Sequence, residues 1–216
     1  MASKMGINGE NALKFFGNMT ASISHEVKNV LAIINENAGL LGDLCIMAEK
    51  GLPIDPGRFS AVAEKVIKQV QRGDVIIRRL NNFAHSVDEP DCDFDVNDIL
   101  VLVLDLSERI ALMSGIKLET NRTADPVIIN ANPFLFETLI WFFLDYAMNV
   151  IVGKEKTICI TAEKNSDNVV ITFSKLKGLP GIQADEFPGE REKSLLTALN
   201  AITVIDADSE KIIIKL

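Results

Sequence analysis

Positive charge and cysteine are both scarce in this chain. Over 216 residues, 22 Lys and Arg stand against 30 Asp and Glu, a net charge of −8. Nonspecific grip on nucleic acid or anionic lipid needs clustered basic residues, so neither partner is expected. The three cysteines, Cys45, Cys92 and Cys159, are odd in number and far apart. That fits neither a disulfide framework nor a paired-cysteine metal knuckle, and it predicts a reducing, cytoplasmic setting. No basic-then-apolar leader opens the chain, so export is not expected. The most apolar run, Phe134 to Val152, carries Glu137, Asp145 and Asn149, which are costly at bilayer depth. It reads as a buried core helix rather than a membrane span.

What is present is enough apolar material for ordinary cores, with 48% hydrophobic and 24% charged residues. From about Asn11 to Lys50 there is no proline, and apolar residues recur mostly at steps of three and four: Phe16, Met19 or Thr20, Ile23, Val27, Val30, Ile34, Leu41, Leu44, Ala48. This is the seam of a long helix, interrupted at Asn37. Gly51-Leu52-Pro53 supplies a stop, and Asp55-Pro56 supplies an N-cap and a first helical residue. A second arm, Pro56 to Val87, repeats the period with Phe59, Val62, Val66, Val70, Ile77, Leu80, Phe83 and Val87, weakened by Gly73. Extra apolar positions beside the seam (Leu31, Ala38, Cys45, Ala63, Ile67, Ile76) predict a second neighbour, met by a homodimer forming a four-helix bundle.

The acidic, proline-bearing stretch from Asp88 to Asp93 is the predicted domain boundary, giving domains 1–90 and 91–216, and the acidic run from Asp88 to Asp95 reads as a solvated connector. Beyond it the pattern predicts a helix over 96–114, strands over 117–120 and 127–130, and a helix over 133–152. A β-hairpin over 157–174 turning at Asn165-Ser166-Asp167 follows, then a helix over 190–201 and two closing strands. The fold class is therefore α+β, a long helical hairpin followed by an α/β sandwich.

Ser24-His25-Glu26-Val27-Lys28-Asn29 lies inside the first arm. With Ile23, Val27 and Val30 in the seam, His25 falls on the outward side and Asn29 one turn further along the same face. Glu26 adjoins His25, where a carboxylate can hold Nδ1 protonated and leave Nε2 nucleophilic. Folding the hairpin about its turn brings about Ile77 to Ala84 opposite His25, with Arg78, Arg79 and Asn81 in that neighbourhood. A lone exposed histidine is ordinary surface, and His85, with no adjoining acid, reads that way. No metal-ligand cluster and no cofactor-binding residue is expected, and the methionines and Trp141 with its neighbours read as core.

His25 does not stand alone. Phe16 to Leu44, with Ser-His-Glu-Val-Lys-Asn at its heart, resembles the dimerisation and phosphoacceptor domain of two-component sensor histidine kinases. Five positions of that family's His-Glu-hydrophobic-Lys/Arg-Asn/Thr-Pro motif match; Val30 replaces the proline, so its helix kink is expected to be absent or smaller. The second arm, ending Ile-Arg-Arg-Leu-Asn-Asn-Phe-Ala, is also similar to the family's second helix. The resemblance covers about Asn11 to Val87. It implies that His25 accepts the phosphoryl group, that Glu26 assists transfer, and that Asn29 with Glu26 positions water for dephosphorylation.

The element order from Phe94 to Leu216 looks like the family's ATP-binding sandwich, with its chemistry largely missing. Asp145 stands where a metal-binding asparagine belongs, and Leu176 of Leu176-Lys-Gly178-Leu-Pro-Gly181 replaces the adenine-binding aspartate. Ser194 to Ala201 occupies the place of the Gly-rich phosphate loop. Without glycines a backbone cannot approach phosphates closely. The resemblance thus implies a phosphorelay histidine phosphotransferase without efficient ATP use. Its partner is a response-regulator receiver domain, which would also supply Mg²⁺. The alternatives are a sensor kinase with a divergent ATP site and a noncatalytic pseudokinase.

Overall fold

The computed structural model describes residues 2–165, 168–179 and 187–216. Two compact units emerge, one of Thr20–Asn82 and one of Met1–Met19 with Phe83–Leu216.

The first unit is a helical hairpin cut from two helices, α1 (Ala2–Glu49) and α2 (Pro56–Ser86). The predicted stop is built as expected. Gly51 takes φ +73°, and the N–H groups of Gly51 and Leu52 donate to the carbonyls of Ala48 and Met47, closing the last turn of α1. Asp55 caps α2 by accepting from the Gly57 N–H at 2.9 Å. Helix α1 runs unbroken through Val30, as the missing proline implies. Asn37 stays in the buried seam because its side-chain amide donates to the Ile33 carbonyl at 2.7 Å, one turn back. Where the arms approach, a Cβ on Gly73 would lie 3.4 Å from Val30 Cγ1, so these residues sit level.

The seam of α2 differs from the expectation at Val70, Ile77 and Val87, the last of them exposed and past the helix end. Ile76 is buried and lies in the seam, while Val70 and Ile77 are exposed beside it. Adjacent residues on a helix point about 100° apart, and a run of Val-Ile-Ile leaves the phase of the stripe ambiguous by one residue. A similar shift puts Phe15 rather than Phe16 at full burial.

The second unit is an α+β sandwich. β1 (Cys92–Asp95) pairs antiparallel with β3 (Ile128–Ala131). A five-stranded mixed sheet has the order β2 (Ile116–Thr120), β4 (Lys156–Asn165), β5 (Asn168–Ser174), β7 (Lys211–Lys215), β6 (Ile202–Asp206), with β2 and β4 parallel and the remaining pairs antiparallel. Helices α3 (Val96–Met113), α4 (Pro133–Val150) and α5 (Glu190–Ala198) complete it. Ile158, Ile160, Val169, Ile171, Phe173, Ile212 and Ile214 alternate along their strands into one core, which Phe143 of α4 joins at 6.1 Å from the Phe173 ring. β4 and β5 pair through Asn165 and Asn168; Ser166 and Asp167 of the expected turn lie outside the described residues. The acidic stretch after α2 is not all connector, since Cys92 to Asp95 form β1.

Aromatic rings draw the adjoining ends of both helices into this unit. Phe15 of α1 lies 5.1 Å from Phe83 of α2 and 5.9 Å from Trp141 of α4. Just beyond, Ser86 Oγ sits 2.7 Å from Glu137 Oε2 and 2.8 Å from the Phe83 carbonyl. One hydroxyl has one hydrogen, so both contacts become hydrogen bonds only when Glu137 brings its own proton. Glu137 is 1% exposed. Burial pushes its carboxyl up to about 8, against the lowering influence of Ser86.

The 133–152 run is the interior helix α4, mostly buried in protein. By length and composition alone, the Ala12–Glu49 part of α1 is apolar enough to cross a membrane.

Candidate functional site

His25 is exposed on α1, Asn29 is exposed one turn along, and Glu26 is half-buried. No hydrogen bond joins His25 to Glu26 among the described residues, which follows from helix geometry. Neighbours i and i+1 diverge by about 100°, so Glu26 turns toward the seam while His25 turns away from it. His25 and Asn29 do share a face. Taking Val30 and Gly73 as level, the antiparallel arms bring Arg78 level with His25, within the expected neighbourhood. Arg78 lies back along its own helix, its Nε donating to the Asp74 carbonyl at 3.4 Å.

At 100° per residue, the two flanks of the hairpin differ in character. One flank carries Leu31, Ala38 and Cys45 on α1 and Ala63, Val70 and Ile77 on α2, each set at intervals of seven. These residues are exposed, Leu31 at 58% and Val70 at 48%. The right-handed sense of both helices puts these sets on one side of the antiparallel pair. The other side bears His25, Asn29 and Glu36.

The second unit places the remaining sequence-predicted positions. Leu176 is fully buried and offers no hydrogen-bonding side chain. Gly178 keeps its place because φ is +111° and a Cβ would meet the Val150 carbonyl oxygen at 2.5 Å. Pro180 and Gly181 lie outside the described residues. Asp145 is half-buried on α4, where burial raises its carboxyl above the usual range, Arg191 opposing and Glu192 adding to the rise. The α4 face around it is covered by the chain itself. Phe187 stacks on Tyr146 at 3.7 Å and meets Phe143 edge-on at 5.0 Å, while the Arg191 guanidinium lies 4.4 Å above the Phe142 ring. Glu192 pairs with Arg191 and accepts from the Gly189 N–H, which fixes the start of α5. Where the resemblance implies an acid that reads adenine stands the interior Leu176, and Phe187 and Arg191 lie against the aromatic rings of α4.

No cluster of three or more His, Cys, Asp or Glu suited to a metal ion occurs among the described residues. Sequence reasoning missed the covering role of Phe187 and Arg191. The signal for Arg191 was weak, an arginine inside an otherwise acidic first turn of α5.

No protein-family model and no curated protein matches the sequence. Solved structures similar in chain course include the Acinetobacter baumannii histidine kinase AdeS, at 16% identity and TM-score 0.48 over 88% of this chain and 95% of that one. The catalytic domain of histidine kinase ThkA is similar over 59% of this chain and 96% of its own, at 14% identity and TM-score 0.49. A bacterial phosphotransferase is similar over 94% and 95%, at 13% identity and TM-score 0.42. At these identities and scores none of them assigns an activity to this chain.

Proposed function

We propose that this chain passes phosphoryl groups through His25 to and from an aspartate of a response-regulator receiver domain, as a homodimeric cytoplasmic member of a two-component phosphorelay. The observation that carries the reading is a contrast within the molecule. The His-Glu-Val-Lys-Asn run holds an exposed imidazole on a continuous helix, while the positions where the resemblance implies ATP-serving residues carry Asp145, Leu176 and the glycine-free run Ser194 to Ala201.

In the transfer step His25 Nε2 attacks the phosphorus of a receiver's aspartyl phosphate in line. The P–O bond to the aspartate breaks, the P–N bond forms, and the carboxylate leaves; the reverse step restores the acyl phosphate. Nε2 attacks with its lone pair, so the ring hydrogen stays on Nδ1. Exposure of His25 leaves the approach open. The resemblance assigns Glu26 to assisting transfer, though its side chain turns toward the seam in the resting helix, and Asn29, on the face of His25, orients water when the phosphoryl group is hydrolysed instead. Mg²⁺ held by the receiver supplies charge compensation on the phosphoryl oxygens.

The apolar flank through Leu31 and Val70 supports the homodimer, since a second copy of this face completes a four-helix bundle and leaves His25 outside it. In this reading a second copy rather than lipid covers the apolar positions of α1, which favours a cytoplasmic setting shared with the receiver.

Transfer of labelled phosphate from phosphorylated receiver domains to the wild type and to His25→Ala tests the proposal. Acid-labile, base-stable label on the wild type alone is expected. Equal label on both proteins overturns it.

A further inference from the structure

The strand β2 is one edge of the five-stranded sheet, bonded to β4 on one side only. Among the described residues its backbone bonds to no other segment, so its outer edge stands open to a further strand. Against that edge lies a cavity of about 210 Å³, walled by Asp105, Glu108 and Leu112 of α3 and by Ile116, Lys117 and Leu118 of β2. Successive residues of a strand point to opposite faces. A cavity that meets three in a row, and none of β4, therefore looks onto the outer edge of β2 rather than onto one face. Its volume is below that of ordinary small-molecule sites and leaves room for one long side chain. Leu112, Ile116 and Leu118 suit an aliphatic stem, while Asp105 and Glu108, one turn apart on α3, suit a cationic head. The negative end of the α3 dipole adds to the same field. Lys117 does not cancel it. By strand alternation its side chain lies on the other face, where Glu119 pairs with it at 2.8 Å and with Lys175 at 2.7 Å. Glu108 forms no ion pair among the described residues. At the rim, Leu112 and Met113 stay 65% and 77% exposed, apolar surface that a partner can cover.

We propose that the outer edge of β2 takes up an extended segment of a partner protein as a further strand of the sheet, with an arginine of that segment seated in the cavity between α3 and β2. The proposal does not depend on His25 or on the phosphotransfer reading. Main-chain bonds along the edge supply affinity, and the side chain in the cavity supplies specificity. Charge complementarity selects the occupant. A carboxylate in the cavity meets Asp105 and Glu108 as like charges, whereas the planar fork of an arginine can bond both. The same criterion excludes a second copy of this chain. Its other exposed edge, β6, reads Ile-Thr-Val-Ile-Asp and carries no cation. Two-fold pairing through β2 itself brings Ile116 and Leu118 to the cavity face and leaves Lys117 on the other.

The test titrates the isotope-labelled full chain with capped octapeptides in which alternating threonine and valine flank one central arginine, followed by amide NMR. Saturable binding is expected, with the largest shifts at Ile116 to Thr120 and at Leu112. Replacing the arginine by glutamate should weaken binding about tenfold. Methylating alternate peptide nitrogens should abolish binding in the phase that faces β2 and spare it in the other, because only one phase donates to the edge. In the protein, Glu108→Lys should weaken the arginine peptide about tenfold and strengthen the glutamate peptide. Glu108→Gln should give an intermediate loss, which guards against misfolding of the charge reversal. Absence of saturable binding by any of the arginine peptides overturns the proposal, as do equal affinities for the arginine and glutamate peptides, equal binding in both methylation phases, or unchanged affinity in Glu108→Lys. Shifts centred on β6 overturn it too, and shifts of Ile116 to Thr120 on raising the protein concentration alone assign the edge to a second copy instead.

Discussion

The hairpin around His25 and the α4 surface around Asp145 treat their polar groups in opposite ways. On the hairpin, His25, Asn29 and the Lys65, Lys68 and Arg72 side chains of α2 project into solvent, held by a seam of apolar residues that does not involve them. On α4 the polar groups are absorbed into architecture: Glu137 shares a proton network with Ser86, Arg191 lies over Phe142, and Glu192 fixes a helix start. A surface that keeps its polar groups free can bind and exchange; one that bonds them internally has traded that capacity for stability. The two regions thus differ in what their polar side chains are left to do.

Four substitutions sharpen this contrast, in falling order of expected effect. Glu137 is the largest. Its folded carboxyl is raised to about 8 from an ordinary 4.5, so the folded state binds the proton more tightly. Stability from this group is complete below about pH 4.5 and is lost as pH rises through about 8, up to roughly 5 kcal/mol in all at about 1.4 kcal/mol per unit. Urea melts from pH 4 to pH 9 should show that fall in the wild type and a flatter profile in Glu137→Gln. Phe83→Ala comes next, with a loss of about 3 to 5 kcal/mol, because a fully buried ring against Phe15 and Phe16 leaves a cavity. Arg191→Ala should cost about 1 kcal/mol through the lost ring contact, and titration with Mg-ATP should still give no binding, since Leu176 remains. Asp55→Ala removes the cap of α2 and should lower the melting midpoint by the equivalent of about 1 kcal/mol.

Much of the fold is legible in residue order alone. The hairpin turn follows from Gly51 and from Asp55-Pro56, whose backbone roles are local, and α4 follows from an apolar run too charged for lipid. The one-residue phase error on α2 arises where Val75, Ile76 and Ile77 are equally apolar, so only the position of α1 at Val30 decides which is buried. β1 escapes notice because four residues alternating Cys-Asp-Phe-Asp are too few for a period, and the ladder to β3 is a distant contact. At the candidate site, His25 and Asn29 are readable from helix phase, and a hydrogen bond from Glu26 is not, because adjacency in sequence on a helix is divergence in space. The cover that Phe187 and Arg191 lay on α4 depends on tertiary packing, for which no local spacing is a guide.

The central claim is that phosphoryl groups reach His25 from receivers and not from nucleotide. Its most direct measurement sets labelled phosphoreceiver domains beside labelled Mg-ATP, each incubated with wild type and His25→Ala, and scores acid-labile protein label. The account predicts label on the wild type from a receiver, none from Mg-ATP, and none on His25→Ala from either source. Wild-type label from Mg-ATP, or receiver label that survives His25→Ala, would contradict it.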